Sequence, residues 1–378
     1  MSSLRTLLDT HRVLLCVGCG GVGKTTICAS LALAAARAGQ RVLCLTIDPA
    51  HRLAESLGLE KFATEAKVVE RRIFEDAGLD VPGELTVMML DTKTTFDALV
   101  ESLATDPAKR QRVFDNILYR YISTSLAGTQ EYMAMEKLYA VKDDPAYDLI
   151  LLDTPPTSHA LDFLDAPDRL VGAIDSAAVR WFQEAFQDTG KLSFNLLKKS
   201  AQQILKGIAG ITGGGFLEQV ASFVSEMNDL FGGWRRRADE VAAALRTDDV
   251  AYVLVTTPDP MCIREVLFFS ERLVSMNMKP GAIVVNRVPV SPGAEPTAEA
   301  LDKLIEQEML PRADGMAKRL LAAAEQQRRA AKLARLNMTA LEEVSTTDGT
   351  LPIVEVPEFA REIHDVERLV WMANRLTR

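Results

Sequence analysis

The stretch that decides the fold runs from Val13 to Thr26: Val13-Leu14-Leu15-Cys16-Val17, then Gly18-Cys19-Gly20-Gly21-Val22-Gly23, then Lys24-Thr25-Thr26. A short apolar run meets a glycine-rich turn, and the turn opens a helix-forming segment. That segment, Lys24 to Ala38, is rich in Ala and Leu and reaches Gly39, a good helix stop. A second apolar run, Arg41 to Ile47, follows. Together they predict one βαβ unit. Gly18, Gly23, Lys24 and Thr25 satisfy the spacing G-x-x-x-x-G-K-[ST] in the strand-to-helix context that gives this pattern its meaning.

The chemistry of that spacing is specific. Glycines let backbone N–H groups turn inward around phosphate oxygens, and the helix N-terminus adds partial positive charge. A lysine at position 24 reaches the β- and γ-phosphates, and a hydroxyl at position 25 ligates Mg²⁺. The expected ligand is therefore ATP with Mg²⁺, held by Gly20, Gly21, Val22, Gly23, Lys24, Thr25 and Thr26.

Outward from this unit, further apolar runs lie at Leu85 to Leu90, Leu149 to Leu152, Val250 to Val255 and Ala282 to Val285. They do not alternate, which suits strands covered on both faces. Helical segments separate them. The expected fold is α/β: a doubly wound, mostly parallel sheet of the P-loop NTPase type. Residues 170–245 carry no strand signal. Leu197, Ala201, Ile204, Leu205 and Ile208 share one helical face, as do Phe216, Val220, Phe223, Met227 and Leu230, with the glycine-rich break Gly210 to Gly215 between them. The predicted organisation is a core over 1–169, a helical insertion over 170–245, and the rest of the core over 246–378. Trp234-Arg235-Arg236-Arg237 reads as a solvated helix start, and Thr297 to Leu336 as a solvated outer helix pair.

Composition narrows the partners. With 378 residues, 48% hydrophobic and 25% charged, the chain has the make-up of a globular protein able to bury a large core. A formal net charge of -9 argues against nucleic acid or an anionic membrane as a general partner. No run approaches the roughly 20 apolar residues of a membrane span, and the polar start, Met1 to Arg12, does not resemble a secretion signal. A cytoplasmic location is expected. The five cysteines (Cys16, Cys19, Cys28, Cys44, Cys262) are odd in number and do not form a disulfide framework. Cys16 and Cys19 have C-x-x-C spacing, so a metal or redox pair is one reading of them, against a strand cysteine and a loop cysteine with no joint role.

Asp48-Pro49-Ala50-His51 ends the second apolar run, and Asp153-Thr154-Pro155-Pro156-Thr157-Ser158-His159 ends the run at Leu152. A carboxylate at such a strand end can orient and deprotonate an attacking water. Asp48 also suits an N-cap before a helix starting near Pro49, and it can serve both ends. Asp153 suits a Mg²⁺ carboxylate acting through water, with Thr25 as the direct ligand. His159 reads equally as simple packing.

With the phosphate loop, these motifs resemble the deviant-Walker ATPases, and within them the family of the arsenite-pump ATPase ArsA and the ATPase that targets tail-anchored membrane proteins, over about residues 10–375. The family's motifs read K-G-G-x-G-K-[ST]-T, D-P-A-H and D-T-[AP]-P-T-x-H. The resemblance implies that Asp48 and Lys24 are catalytic, that Asn286 contacts adenine, and that Pro357 and Phe359 form a second base-contacting loop. It implies a dimer, and for the helical insertion a surface for a protein client, against the plainer reading that its apolar faces bury against each other and the sheet. Gly128-Thr129-Gln130-Glu131-Tyr132 stands where the family has P-G-x-x-E, and only Gly128 and Glu131 match. Two departures matter. No cysteine pair follows Asn286, so no zinc is expected. The family's first lysine, which reaches across the dimer, is Cys19 here. That substitution is similar to bacterial members that pair with a lysine-bearing paralogue. The expectation is therefore a heterodimer with a paralogous ATPase or a homodimer. In a homodimer another cation, such as Arg12 or Arg52, would have to neutralise developing charge. A catalytically weak regulatory subunit is the alternative to a full ATPase.

Overall fold

A computed structural model describes residues 3–47, 57, 65–104, 106–125, 129–154, 165–175, 214–293, 297, 300, 301, 303, 316–347, 351–363 and 365–378. In chain order these form α1 (Ser3–Thr10), β1 (Val13–Val17), α2 (Lys24–Arg37), β2 (Arg41–Thr46), β3 (Lys67–Val68), α3 (Arg71–Asp76), β4 (Glu84–Met89) and α4 (Thr92–Leu103). There follow α5 (Pro107–Asp115), α6 (Ile117–Ser125), α7 (Thr129–Lys142), β5 (Leu149–Asp153), α8 (Ala166–Ile174) and α9 (Gly214–Ala244). The chain continues with β6 (Val250–Thr256), α10 (Pro260–Ser275), β7 (Pro280–Val288), α11 (Met316–Thr347), β8 (Ile353–Pro357) and α12 (Val366–Leu376).

The strands make one sheet of eight in the order β3-β4-β2-β5-β1-β6-β7-β8. All neighbours are parallel except β3 and β4. The expected α/β doubly wound sheet is therefore present. The apolar runs explain it. Every residue of β1, β5 and β6 is buried. Successive side chains point to opposite faces, so Val13, Leu15 and Val17 enter one core while Leu14 and Cys16 enter the other. The first core is closed by Phe96 of α4, Tyr119 of α6, Met135 of α7, Leu230 of α9, Phe269 of α10 and Leu341 of α11. The second is closed by Leu4 and Leu8 of α1, Ile27 and Leu31 of α2, and Leu369 and Leu376 of α12. A strand with apolar side chains on both sides has no solvated face, which is why alternation is missing from the sequence.

Two readings of charged segments are corrected. Trp234-Arg235-Arg236-Arg237 is no helix start: it lies inside the continuous helix α9. Trp234 is buried and meets Phe96 edge-on at 5.1 Å between ring centroids. Arg237 is ion-paired with buried Glu136 at 2.7 Å and lies over the Tyr139 ring. Likewise α11 is more than a solvated outer helix, since Ala331, Ala334, Met338 and Leu341 are buried along one side of it. Met227 and Leu230 of the predicted apolar face are buried in α9. Leu197 to Ile208 lie outside the described residues.

Candidate functional site

The register brings three strand ends to one level. Asp153 at the end of β5 pairs with Cys16 of β1 on one side and with Thr46 of β2 on the other. Open α/β sheets bind ligands at such carboxyl ends. The loop Gly18–Gly23 rises from β1 at this level and delivers Lys24 and Thr25 on the first turn of α2.

Side chains of the loop converge beneath it. Thr25 Oγ1 donates to Asp153 Oδ2 at 2.7 Å, and Thr46 Oγ1 donates to the same oxygen at 3.0 Å. Asp153 is 1% exposed, and both hydroxyls meet its Oδ2. Lys24 is buried, and its Nζ donates to the carbonyls of Gly18 at 2.9 Å and Cys19 at 3.0 Å. Thr154 Oγ1 donates to the Cys16 carbonyl at 2.8 Å, tying the exit of β5 to β1.

Asn286 reaches the loop from β7. Its Nδ2 donates to the Val22 carbonyl at 2.8 Å, while its Oδ1 accepts from the backbone N–H of Arg287 at 3.0 Å. The local backbone makes this reach. Arg287 has φ +56°, in the left-handed region that a bulky residue seldom enters. The β7–β8 register shifts between Val285 and Val288 at the same point. Gly23, φ +96°, faces the same amide: a Cβ there would lie 2.4 Å from Asn286 Nδ2. Asn286 thus braces the phosphate loop. Pro357 pairs with Val288, two residues along β7 from Asn286. Phe359 turns its ring edge-on to Trp371 of α12 at 4.4 Å.

Thr46 and Gln130 have roles that sequence reasoning missed. A threonine ending a strand reads as an ordinary β-former, and only the register shows Thr46 on the Asp153 carboxylate. Gln130 Nε2 donates to the carbonyl of Ile47 at 3.3 Å. The Ile47 N–H in turn donates to the Asp153 carbonyl at 3.3 Å. The residue immediately before Asp48 is therefore fixed to both β5 and α7. Glu131 sits on the first turn of α7 beside Gln130. Asp48, His51, Arg52, Gly128, Pro155, Pro156, Thr157, Ser158 and His159 lie outside the described residues.

The cysteines divide between two places. Cys28 Sγ lies 3.8 Å from Cys44 Sγ, and hydrogen bonding with Cys16 and with Cys44, together with burial, pushes its thiol well up. Cys19 is also buried, and its thiol neighbours that of Cys262 on the first turn of α10. Burial pushes the Cys19 thiol far up, Cys262 adds to this, and the Lys24 charge opposes it. Cys16 and Cys19 thus face different partners. Among the described residues no group of three His, Cys, Asp or Glu side chains could hold a metal. The expectation for Arg12 is corrected. Its guanidinium donates to the carbonyls of Lys142 at 2.7 Å, Asp144 at 2.6 Å and Tyr147, at the amino end of β1. It staples the turn before β5 and faces away from the phosphate loop.

The donor set fits Mg²⁺. A hard cation of this size takes oxygen ligands and keeps much of its water. A hydroxyl and a carboxylate in mutual contact under a loop that can cradle phosphate supply that chemistry. Thr46 donates to the same carboxylate oxygen as Thr25. Thr46→Val, which keeps the shape and removes the hydroxyl, is expected to raise the Mg²⁺ concentration for half-maximal turnover about tenfold or more. Thr46→Ser should restore it. An unchanged Mg²⁺ titration in the valine variant would remove Thr46 from this role.

Comparison with known proteins gives the family. The model of the family described as anion-transporting ATPase matches residues 11–314. The protein called ATPase GET3 from Ajellomyces dermatitidis (strain ER-3 / ATCC MYA-2586) is 27% identical over 305 residues, covering 79% of each chain. ATPase GET3 from Paracoccidioides lutzii (strain ATCC MYA-826 / Pb01) is 28% identical over 301 residues, again 79% of each chain. No helix among the described residues is long and apolar enough to cross a membrane.

Proposed function

Because this chain belongs to the anion-transporting ATPase family, and is an ATPase on that ground, we propose that it works as a dimeric Mg-ATP switch that couples turnover to a partner protein in the cytoplasm. The observation that carries the reading is the contact of Thr25 with Asp153 directly beneath the phosphate loop. Thr25 would ligate Mg²⁺, and Asp153 would hold it through water. The ion supplies positive charge to the phosphate oxygens. Backbone N–H groups of Gly20 to Thr26 cradle the phosphates, and Lys24 adds its charge to them. Asp48 accepts a proton from the attacking water. Asn286, already on the loop through one N–H of its amide, offers the second toward the adenine edge. Pro357 and Phe359 flank the base. The client surface is assigned to the helical insertion, residues 170–245, carried on α8 and α9.

A second reading is favoured by one observation. At the position where the resemblance has an interface-crossing lysine, Cys19 is turned inward against Cys262. A chain with no cation there depends on a partner for it, as a regulatory half of a mixed pair would. The two readings separate in one experiment: ATP turnover and solution mass of the purified chain, alone and with a lysine-bearing paralogue from the same cell. A dimer that hydrolyses ATP alone at a rate indifferent to the paralogue supports the self-sufficient switch. Turnover that appears only with the paralogue, in a complex containing both, supports the mixed pair. A chain that neither binds nor hydrolyses Mg-ATP in either setting overturns both.

A further inference from the structure

A cavity of about 390 Å³ lies on the flank of β8, apart from the phosphate loop. Its walls come from the exit of β7 at Val288 to Ser291, from Glu355 and Pro357 of β8, from one side of α11, and from Arg375 near the end of α12. None of Gly18 to Thr25 lines it, and neither does Asn286; Pro357, assigned above to the base, is the one wall it shares with the proposed nucleotide site. We propose that this cavity is a binding site for a small, multiply charged phosphate compound, separate from the phosphate-loop site.

Charge is the first ground. Arg328, Lys332 and Arg335 follow one another at steps of four and three along α11, which puts them on one side of the helix. Arg375 faces the same space. Among the described lining residues Glu355 is the one acidic side chain, and it is engaged by the Arg335 guanidinium, with Nη2 to Oε2 at 2.7 Å. Among the described residues, Arg335 and Glu355 in the lining pair with each other and Arg328 is engaged elsewhere, which leaves Lys332 and Arg375 facing the hollow in a chain whose net charge is -9. Like charges one turn apart on a helix repel and cost stability. Lys332 and Arg375 have no ion pair among the described residues. The packing of α11 does not require Lys332, because its buried contacts are made by Ala317, Ala331, Ala334, Met338 and Leu341.

Shape and chemistry select the ligand. A concave, single-sign surface focuses its potential and concentrates counter-ions. Guanidinium forks match phosphate oxygens two at a time, and a lysine adds a point charge. The volume lies within the range of small-molecule sites. One monoanion would leave one of the Lys332 and Arg375 charges uncompensated, so the ligand carries two or more negative charges.

The test uses the full chain with its phosphate loop filled by saturating ADP, and inorganic diphosphate as the probe in a calorimetric titration. Diphosphate is expected to bind at a single remaining site, and the affinity should fall steeply with added salt. The double variant Lys332→Gln/Arg375→Gln is expected to weaken binding by about tenfold or more. Both side chains are exposed, so the melting temperature should hold within a few degrees. The proposal is overturned if ADP abolishes diphosphate binding, since the cavity is then an extension of the nucleotide site. It is equally overturned if the double variant binds as the parent does, or if no binding occurs below about 10 mM.

Discussion

Asp48→Asn is expected to abolish measurable ATP turnover, lowering the rate by about a hundredfold to ten-thousandfold, while ATP affinity stays within about twofold. The substitution keeps the size of the side chain and its ability to cap a helix. It removes only the capacity to take a proton. The surroundings explain why a carboxylate at this position is demanding to replace. One peptide unit before it, Ile47 is bonded through its N–H to the Asp153 carbonyl and through its carbonyl to Gln130. Asp153 itself carries the Thr25 and Thr46 hydroxyls. The entry to Asp48 is therefore coupled to the carboxylate assigned to Mg²⁺. Single-turnover rates and a nucleotide-binding titration on the same preparation separate the two effects. A variant that keeps more than about a tenth of the parent rate would remove Asp48 from the base role. A variant that loses ATP affinity as well would make it a binding residue instead.

Gly18→Ala is expected to cost about 4 kcal/mol or more of stability. A Cβ at Gly18 would lie 2.0 Å from the carbonyl oxygen of Val255 and 3.1 Å from its carbonyl carbon. These are backbone atoms of β6, which is paired to β1 along its length. No rotamer change can relieve the contact, so either the loop or two central strands must move. Gly21→Ala makes the informative control. Its Cβ would meet nothing within 4 Å, and only the positive φ of +76° opposes it, at about 1–2 kcal/mol. Thermal melts of the two variants should therefore differ clearly, and nucleotide binding should survive in Gly21→Ala alone. Equal melting temperatures would show that β6 yields where the packing says it cannot.

The sheet was legible in the sequence because its central strands are buried on both faces and so appear as unbroken apolar runs. β8, half-buried at the margin, and β3, two residues long, give little periodic signal. The strand, glycine-rich turn and helix at Val13 to Arg37 were legible because that turn has particular residues at fixed spacing; its hold on phosphate remains the proposal made above. Thr46 and Gln130 were not, since each acts through the register of distant segments. Arg12 shows the converse. It stands six residues before Gly18, yet a strand of five residues at roughly 3.3 Å each carries the chain across the whole sheet. Nearness in sequence became opposite edges in space. The Trp234 to Arg237 run misled because burial is decided residue by residue: Trp234 and Arg237 turn toward the core while Arg235 and Arg236 remain exposed.

The two margins of the eight-stranded sheet have a bearing on how crowded copies of this protein behave. An open sheet ends in strands that could pair with the same strand of another molecule and begin aggregation. At one margin the terminal strand, β3, is only two residues long and runs against its neighbour, too little for a second chain to extend. At the other, β8 ends in Pro357, which has no N–H to offer, and α11 brings a row of cations beside it. Two identical positive rows repel before their backbones can meet. Neutralising that row, by substitution or by concentrated polyanion, should shift the chain's failure on heating from dispersed unfolding toward fibrillar or amorphous clumping.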